Sequence, residues 1–220
     1  MTPTILRLGI IKTLVERIAL QYQTTVYICQ IFLNSRKTLE KTLTQYDTVA
    51  AQCRELFVQK TKDYGTAWRI LRPSSLTDQL LIKARRIRQI EETGEQAVAD
   101  KVDDEYIGLI NYSLMALIQL ALPADAAMEL PPQYAADLYD QNLKEVRALM
   151  IRKNTDYGEV WRDMRRSSLT DLILMKLLRV KQIEDNAGKT LVSEGLEANY
   201  QDIINYAVFA LIKISTENEA

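Results

Sequence analysis

Lys176 and Arg179 stand three residues apart in a segment whose apolar residues recur at helical spacing, so their side chains share a face. An ammonium and a guanidinium placed together suit phosphate oxygens, the guanidinium through a two-pronged fork. Asp171, Gln182 and Glu184 extend the same polar stripe. The plainer alternative is a solvated face of ion pairs, with Asp171 serving only to cap a helix. A second group, Lys153, Asp156, Tyr157, Gly158, Trp161 and Arg162, sits at a helix end. A polar turn beside an aromatic anchor can wall a pocket for a base or a sugar. A capping glycine, a turn-forming Asp and a core Trp would explain part of it, but not the Lys, Tyr and Arg. The third group is Glu194, Glu197, Asp202 and Asn205. At about 100° per residue, these four fall within an arc of about 140° on one helix. Hard oxygen donors gathered this way suit Mg²⁺ that also holds water and phosphate. Glu194, Glu197 and Asp202 are the expected metal ligands, with Glu197 and Asp202 carrying catalysis through a metal-activated water. The helix macrodipole would account for Glu194 and Glu197, but not for Asp202 or Asn205 deeper in the helix.

The chain holds no histidine, which excludes Ser-His-Asp and Cys-His triads and imidazole metal sites. Its two cysteines, Cys29 and Cys53, lie far apart and match no metal-ligand spacing. Two thiols in 220 residues point to a reducing compartment, and the cytoplasm is the expected location. A formal net charge of −1 gives no bulk field for nucleic acid or for an anionic membrane. The Lys83–Arg88 run is basic, yet the neutral balance and the acidic arc argue against nucleic-acid binding. The uncharged stretch from Ala19 to Asn34 carries Gln21, Gln23, Thr24, Thr25 and Gln30, too polar to span a bilayer.

The elements that must position these groups occur twice. Asp63–Glu91 recurs as Asp156–Glu184 with 17 of 29 positions identical. Upstream, Tyr46-Asp47 answers Tyr139-Asp140, and downstream 105–120 answers 199–214 after one inserted residue. Each unit is therefore about 80 residues long, with repeat 1 over residues 43–122 and repeat 2 over 136–214. The linker between them carries three of the chain's five prolines. Each unit reads as three helices. In repeat 2 the first ends at a turn where Gly158 takes positive φ, and its apolar stripe is Leu143, Val146, Leu149 and Met150. The second opens at a Ser168–Asp171 capping box and carries Leu169, Ile173, Leu177, Val180 and Ile183. In the third, Ala207–Ile212 is apolar on nearly every face, as a buried helix should be. Three such helices barely enclose a core. The expected fold is therefore all-α, with the two repeats packed as an internal pseudo-dimer bundle and residues 1–42 forming an N-terminal helical extension.

At the third group the copies differ. Gly108 stands where repeat 2 has Asp202, and Glu105 where it has Asn199, while Asp100, Asp103 and Asn111 keep the other positions. If the acidic arc binds metal, repeat 2 is expected to build the competent site.

The strings DYG-x-x-W-R, R-x-S-S-L-T-D and K-x-x-R-x-x-Q-I-E, with the Asn-Tyr of the last helix, resemble the nucleotide modification associated domain 1 family. The resemblance covers both repeats and not residues 1–42. It implies an association with modified-nucleotide metabolism. In helical layout and acidic faces the chain is also distantly similar to the all-α nucleoside triphosphate pyrophosphatases, which are Mg²⁺-dependent and work as dimers or fused pairs. The resulting expectation is a protein that binds a nucleotide or phosphorylated small molecule with Mg²⁺, with hydrolysis left open. On that reading Lys176 and Arg179 take phosphate, while Lys153, Asp156 and Tyr157 take base or sugar beside Trp161, Arg162, Asp171 and Asn205. The competing expectation is a non-catalytic helical module that docks a partner protein. Assembly into a homo-oligomer is left open by the sequence.

Overall fold

The computed structural model describes residues 23, 27, 38–123, 125–190 and 194–219. The expected helices within residues 1–37, and Cys29, lie outside the described residues apart from Gln23 and Tyr27, which are helical. The chain divides into two compact units, Met1–Leu43 and Thr44–Ala220. In the first, residues 38–43 are helical.

The second unit holds both repeats and is all-α, with no strand among the described residues. Repeat 1 consists of α1 (residues 44–64), a short 3₁₀ turn (Ala67–Ile70), α2 (Pro73–Thr93) and α3 (Val102–Ala121). Repeat 2 follows the same plan with α4 (Pro132–Tyr157), a 3₁₀ turn (Val160–Arg162), α5 (Arg166–Asp185) and α6 (Leu196–Glu219). Within the repeats α2 packs on α3 and α5 on α6, and between them α2 packs on α5 and α3 on α6. The outcome is the expected internal pseudo-dimer built on a four-helix core.

The core follows from the helical period. Leu76, Leu80, Ala84 and Ile87 on α2 are fully buried, and so are Leu169, Ile173, Leu177 and Val180 on α5. Every residue from Ala207 to Ile212 is buried, because α6 is covered by α3 on one side and α5 on the other. Each such aliphatic side chain contributes about 1.5–3 kcal/mol by leaving water. Leu177→Ala would therefore cost about 2–5 kcal/mol through the cavity it leaves. On α4 the stripe is narrower: Val146 and Met150 are buried, whereas Leu143 and Leu149 are half-exposed at the bundle edge.

Polar contacts show the pseudo-twofold directly, because each has its reciprocal partner, as an isologous interface requires. Tyr46 Oη donates to Asn205 Oδ1 at 3.1 Å, and Tyr139 Oη to Asn111 Oδ1 at 2.8 Å. Arg54 forks onto Asp140 at 2.6 and 2.8 Å, and Arg147 onto Asp47 at 2.6 and 2.9 Å. Thr77 bridges Glu184 (2.8 Å) and Tyr200 (2.8 Å), while Thr170 bridges Glu91 (3.1 Å) and Tyr106 (2.8 Å).

The Ser168–Asp171 capping box is corrected by the backbone. α5 starts at Arg166, after Arg165 as N-cap and with no side-chain cap bond, and α2 starts likewise at Pro73 after Arg72. Proline at the first helical position is pre-set for the helix and lacks only an N–H that has no partner there. The Thr that both repeats carry in the motif then lies one turn inside, where its hydroxyl joins the opposite repeat instead of capping its own helix. Gly158 does take positive φ (67°), as does Gly65 (66°). No helix among the described residues is long and apolar enough to cross a membrane.

Candidate ligand-binding site

The three expected groups are partly assembled and partly separated. Lys153 at the end of α4, Lys176 in α5 and Asp202 in α6 converge. Lys153 Nζ donates to Asp202 Oδ1, and Lys176 Nζ lies 2.7 Å from Asp202 Oδ2. The Asp202 side chain is 6% exposed and that of Lys176 12%, so the pair is desolvated and strong only because both charges are matched. Glu194 stands at the rim, 3.9 Å from Lys176. Asn205 is buried one turn further along, where its Oδ1 is held by Tyr46 and its Nδ2 has no partner. The buried Asn199 likewise leaves its Oδ1 without one.

The remaining residues point elsewhere. Glu197 lies on the exposed side of α6 and accepts from Gln201 at 3.2 Å. Asp156 and Tyr157 are exposed at the turn. Trp161 is buried, stacked on Phe209 with ring centroids 4.3 Å apart and covered by the Arg162 guanidinium. Arg162 also donates to Gln45 at 2.9 Å, and Lys213 Nζ holds its carbonyl at 2.6 Å. These contacts tie the turn to the bundle. Asp171 faces Arg88 of the other repeat at 3.6 Å, the reciprocal of Lys181 with Asp78 at 2.5 Å. Arg179 does not join Lys176. It lines a separate groove with Met175, Leu178, Gln182 and Lys189.

Glu194, Glu197 and Asp202 therefore do not form a cage. Among the described residues no three Asp, Glu, Cys or His side chains are grouped so as to hold a metal ion. A helical wheel places the three on one arc, but Asp202 points inward to two ammonium groups and Glu197 points to solvent. Both Asp202 oxygens are already matched, so Mg²⁺ would have to displace a lysine. These residues do not fit it.

The corresponding place in repeat 1 lacks the aspartate and borders a cavity. This cavity, of about 330 Å³, lies between α1, α2 and α3 and is lined among others by Lys60, Tyr64, Lys83, Gly108 and Tyr112 and by three carboxylates, Asp100, Asp104 and Glu105. Lys60, Tyr64, Lys83 and Asn111 are the repeat 1 counterparts of Lys153, Tyr157, Lys176 and Asn205. The sequence-based expectation concerned repeat 2; this cavity lies in repeat 1. Of its carboxylates, Glu105 accepts from Lys83 at 3.1 Å and from Arg86. Gly108 leaves no side chain where Asp202 stands. The Lys83 chain takes that space, so that a Cβ on Gly108 would meet Lys83 Cε at 2.6 Å. Lys60, exposed at the mouth, has no ion-pair partner among the described residues. The aromatic walls are the exposed Tyr64 and Tyr112, with Lys83 Nζ 5.8 Å from the Tyr112 ring centroid. Cys53 is buried on α1, and that burial pushes its thiol up to about 12.

Glu105, Tyr112 and Gly108 were the residues missed as cavity walls. The signal for them was the paired exchange, Glu105 for Asn199 and Gly108 for Asp202, read as one charge moved by a helical turn rather than as one charge lost.

Comparison with curated proteins and with solved structures gives no match. The model of one family, described as nucleotide modification associated domain 1, matches twice, over residues 60–120 and 153–214. The matched segments begin at the equivalent Lys60 and Lys153, and together they span more than half of the chain. The chain belongs to the nucleotide modification associated domain 1 family and carries two tandem copies of the domain.

Proposed function

We propose that this protein binds a nucleotide or a closely related phosphorylated small molecule in the repeat 1 cavity. The observation that carries this reading is Lys60, an ammonium group with no ion-pair partner among the described residues, at the mouth of a cavity whose walls include two tyrosines beside Lys83, Asp100, Asp104 and Glu105. An unmatched cation favours an anionic group, and aromatic faces favour a planar base. A volume of about 330 Å³ falls at the lower end of small-ligand sites, which suits a monophosphate better than a bulky dinucleotide. The family's association with nucleotide modification supports the same choice. Mg²⁺ enters this reading only as a counterion brought by the phosphates, not as an ion caged by the protein.

The test is a thermal-shift screen of ribo- and deoxyribonucleoside mono- and triphosphates, each with and without Mg²⁺, on the wild type and on Lys60→Ala. A ligand present at a hundred times its Kd stabilises by about 2.7 kcal/mol, a readily measured rise in Tm. Turnover is read in the same samples as released phosphate or pyrophosphate. If no nucleotide raises Tm, the reading falls and a helical interaction module takes its place.

A further inference from the structure

We infer that repeat 2 contains the same anion site as repeat 1, permanently occupied from within by the Asp202 carboxylate. Asp202 then marks the spot, over Gly108, where the ligand's anionic group sits in repeat 1. This deepens the nucleotide reading and rests on it.

The argument starts from the repeat symmetry. Lys60 and Lys153 end equivalent helices, and Lys83 and Lys176 occupy the same turn of equivalent second helices. In repeat 2 both ammonium groups converge on the two oxygens of one carboxylate. That arrangement is what two lysines offer to a phosphate or carboxylate ligand: two point donors on one anion. In repeat 1 the carboxylate at this position is absent because the residue is Gly108. A cavity is found there, with Asp100, Asp104 and Glu105 also on its walls, and among the described residues Lys60 has no ion-pair partner.

The companion exchange explains why repeat 1 remains stable with its site open. Glu105, where repeat 2 has Asn199, matches Lys83 and Arg86 from one turn earlier on α3. The buried lysine is thus neutralised in both repeats, and only the outer lysine differs. In repeat 2, by contrast, Arg179 lacks the carboxylate that Arg86 has, and Asn199 Oδ1 is left unpaired. The open site takes phosphate or carboxylate. What lies over Gly108 is the far end of the Lys83 side chain, paired with Glu105 at 3.1 Å, and a ligand there requires that end to swing aside.

The test exchanges the two residues in the full chain and uses inorganic pyrophosphate as the probe, with stoichiometry read by isothermal titration calorimetry. The expected result is one site in the wild type, none in Gly108→Asp, two in Asp202→Gly, and one in the double variant. Loss of affinity in Gly108→Asp should be at least tenfold. Circular dichroism and Tm establish that each variant is folded. Should Asp202→Gly fail to fold, the Gly108→Asp titration decides alone, since adding a charge there requires only a lysine to shift. The inference is overturned if folded Asp202→Gly keeps a single site, or if Gly108→Asp binds as the wild type does. If the wild type binds nucleotides but not pyrophosphate, this inference falls while the nucleotide reading stands. If it binds neither, both fall.

Discussion

Repeat 1 and repeat 2 share a backbone plan and nearly all of their interface, yet they place one carboxylate three residues apart on equivalent helices. In repeat 1, Glu105 neutralises Lys83 and Arg86 and leaves Lys60 alone beside a cavity. In repeat 2, Asp202 neutralises Lys176 and Lys153 together, and Arg179 is left over. Three residues is almost one helical turn, so the charge stays on the same face and the buried lysine is satisfied in either arrangement. What changes is the neighbour that shares the charge. A duplicated fold can thus keep its core intact while its two halves pair equivalent charges differently. The symmetric contacts that hold the halves together, such as Tyr46 to Asn205 and Tyr139 to Asn111, are indifferent to this change.

The largest expected effect comes from removing either carboxylate. Asp202→Asn and Glu105→Gln each leave a mostly buried cation unmatched and should cost about 3 kcal/mol. In a domain of this size that lowers Tm by about 6–12 °C, measured by thermal denaturation. A much smaller loss in either variant would break the view that both carboxylates have the same structural role. Next come the tyrosines across the pseudo-twofold. Tyr46→Phe and Tyr139→Phe should each cost about 1–3 kcal/mol by orphaning a buried amide oxygen. Tyr46→Phe should be the costlier, because Asn205 is then left with no partner, whereas Asn111 still donates to the Cys53 carbonyl at 3.2 Å. Urea melts would show the ranking.

The two outer lysines sharpen the comparison further. Lys60→Ala should abolish ligand-induced stabilisation and leave the Tm of the free protein within about 1 °C, since an exposed residue without a partner contributes little. Lys153→Ala should do the reverse, costing about 1 kcal/mol for a half-exposed partner and leaving ligand binding unchanged. Paired melts with and without the best nucleotide separate the two. The smallest effect concerns Glu91 and Glu184, whose carboxyls are raised above the ordinary range, chiefly by burial against the opposite repeat. Between the unfolded and folded values the native state binds more protons, so their contribution to stability declines as pH climbs out of the carboxylate range. Glu184→Gln can still accept from Thr77 and should flatten that decline. The variant's stability relative to the wild type would then rise from pH 4 to pH 7 in denaturant titrations.

How far the sequence could be read is clearest at α5. Its stripe of Leu169, Ile173, Leu177, Val180 and Ile183 was visible from spacing alone and is buried throughout. The same spacing argument put Lys176 beside Arg179, and there it misled. Two residues on one helical face diverge when one finds a buried carboxylate and the other a groove. The Thr of the S-S-L-T-D motif was read as part of a cap. Its role depends on Glu184 and Tyr200, which are 107 and 123 residues away from Thr77. No local pattern contains such a partner.

The sequence by itself determined the all-helical class, the duplication and the buried faces of α2, α5 and α6. Those follow from periodicity, which acts over a few residues and is written in the order of side-chain types. Only the tertiary structure decided which charges neutralise one another. Ion pairing depends on distances of a few ångströms between side chains far apart in the chain, and a helical wheel holds no information about the helix that packs against it.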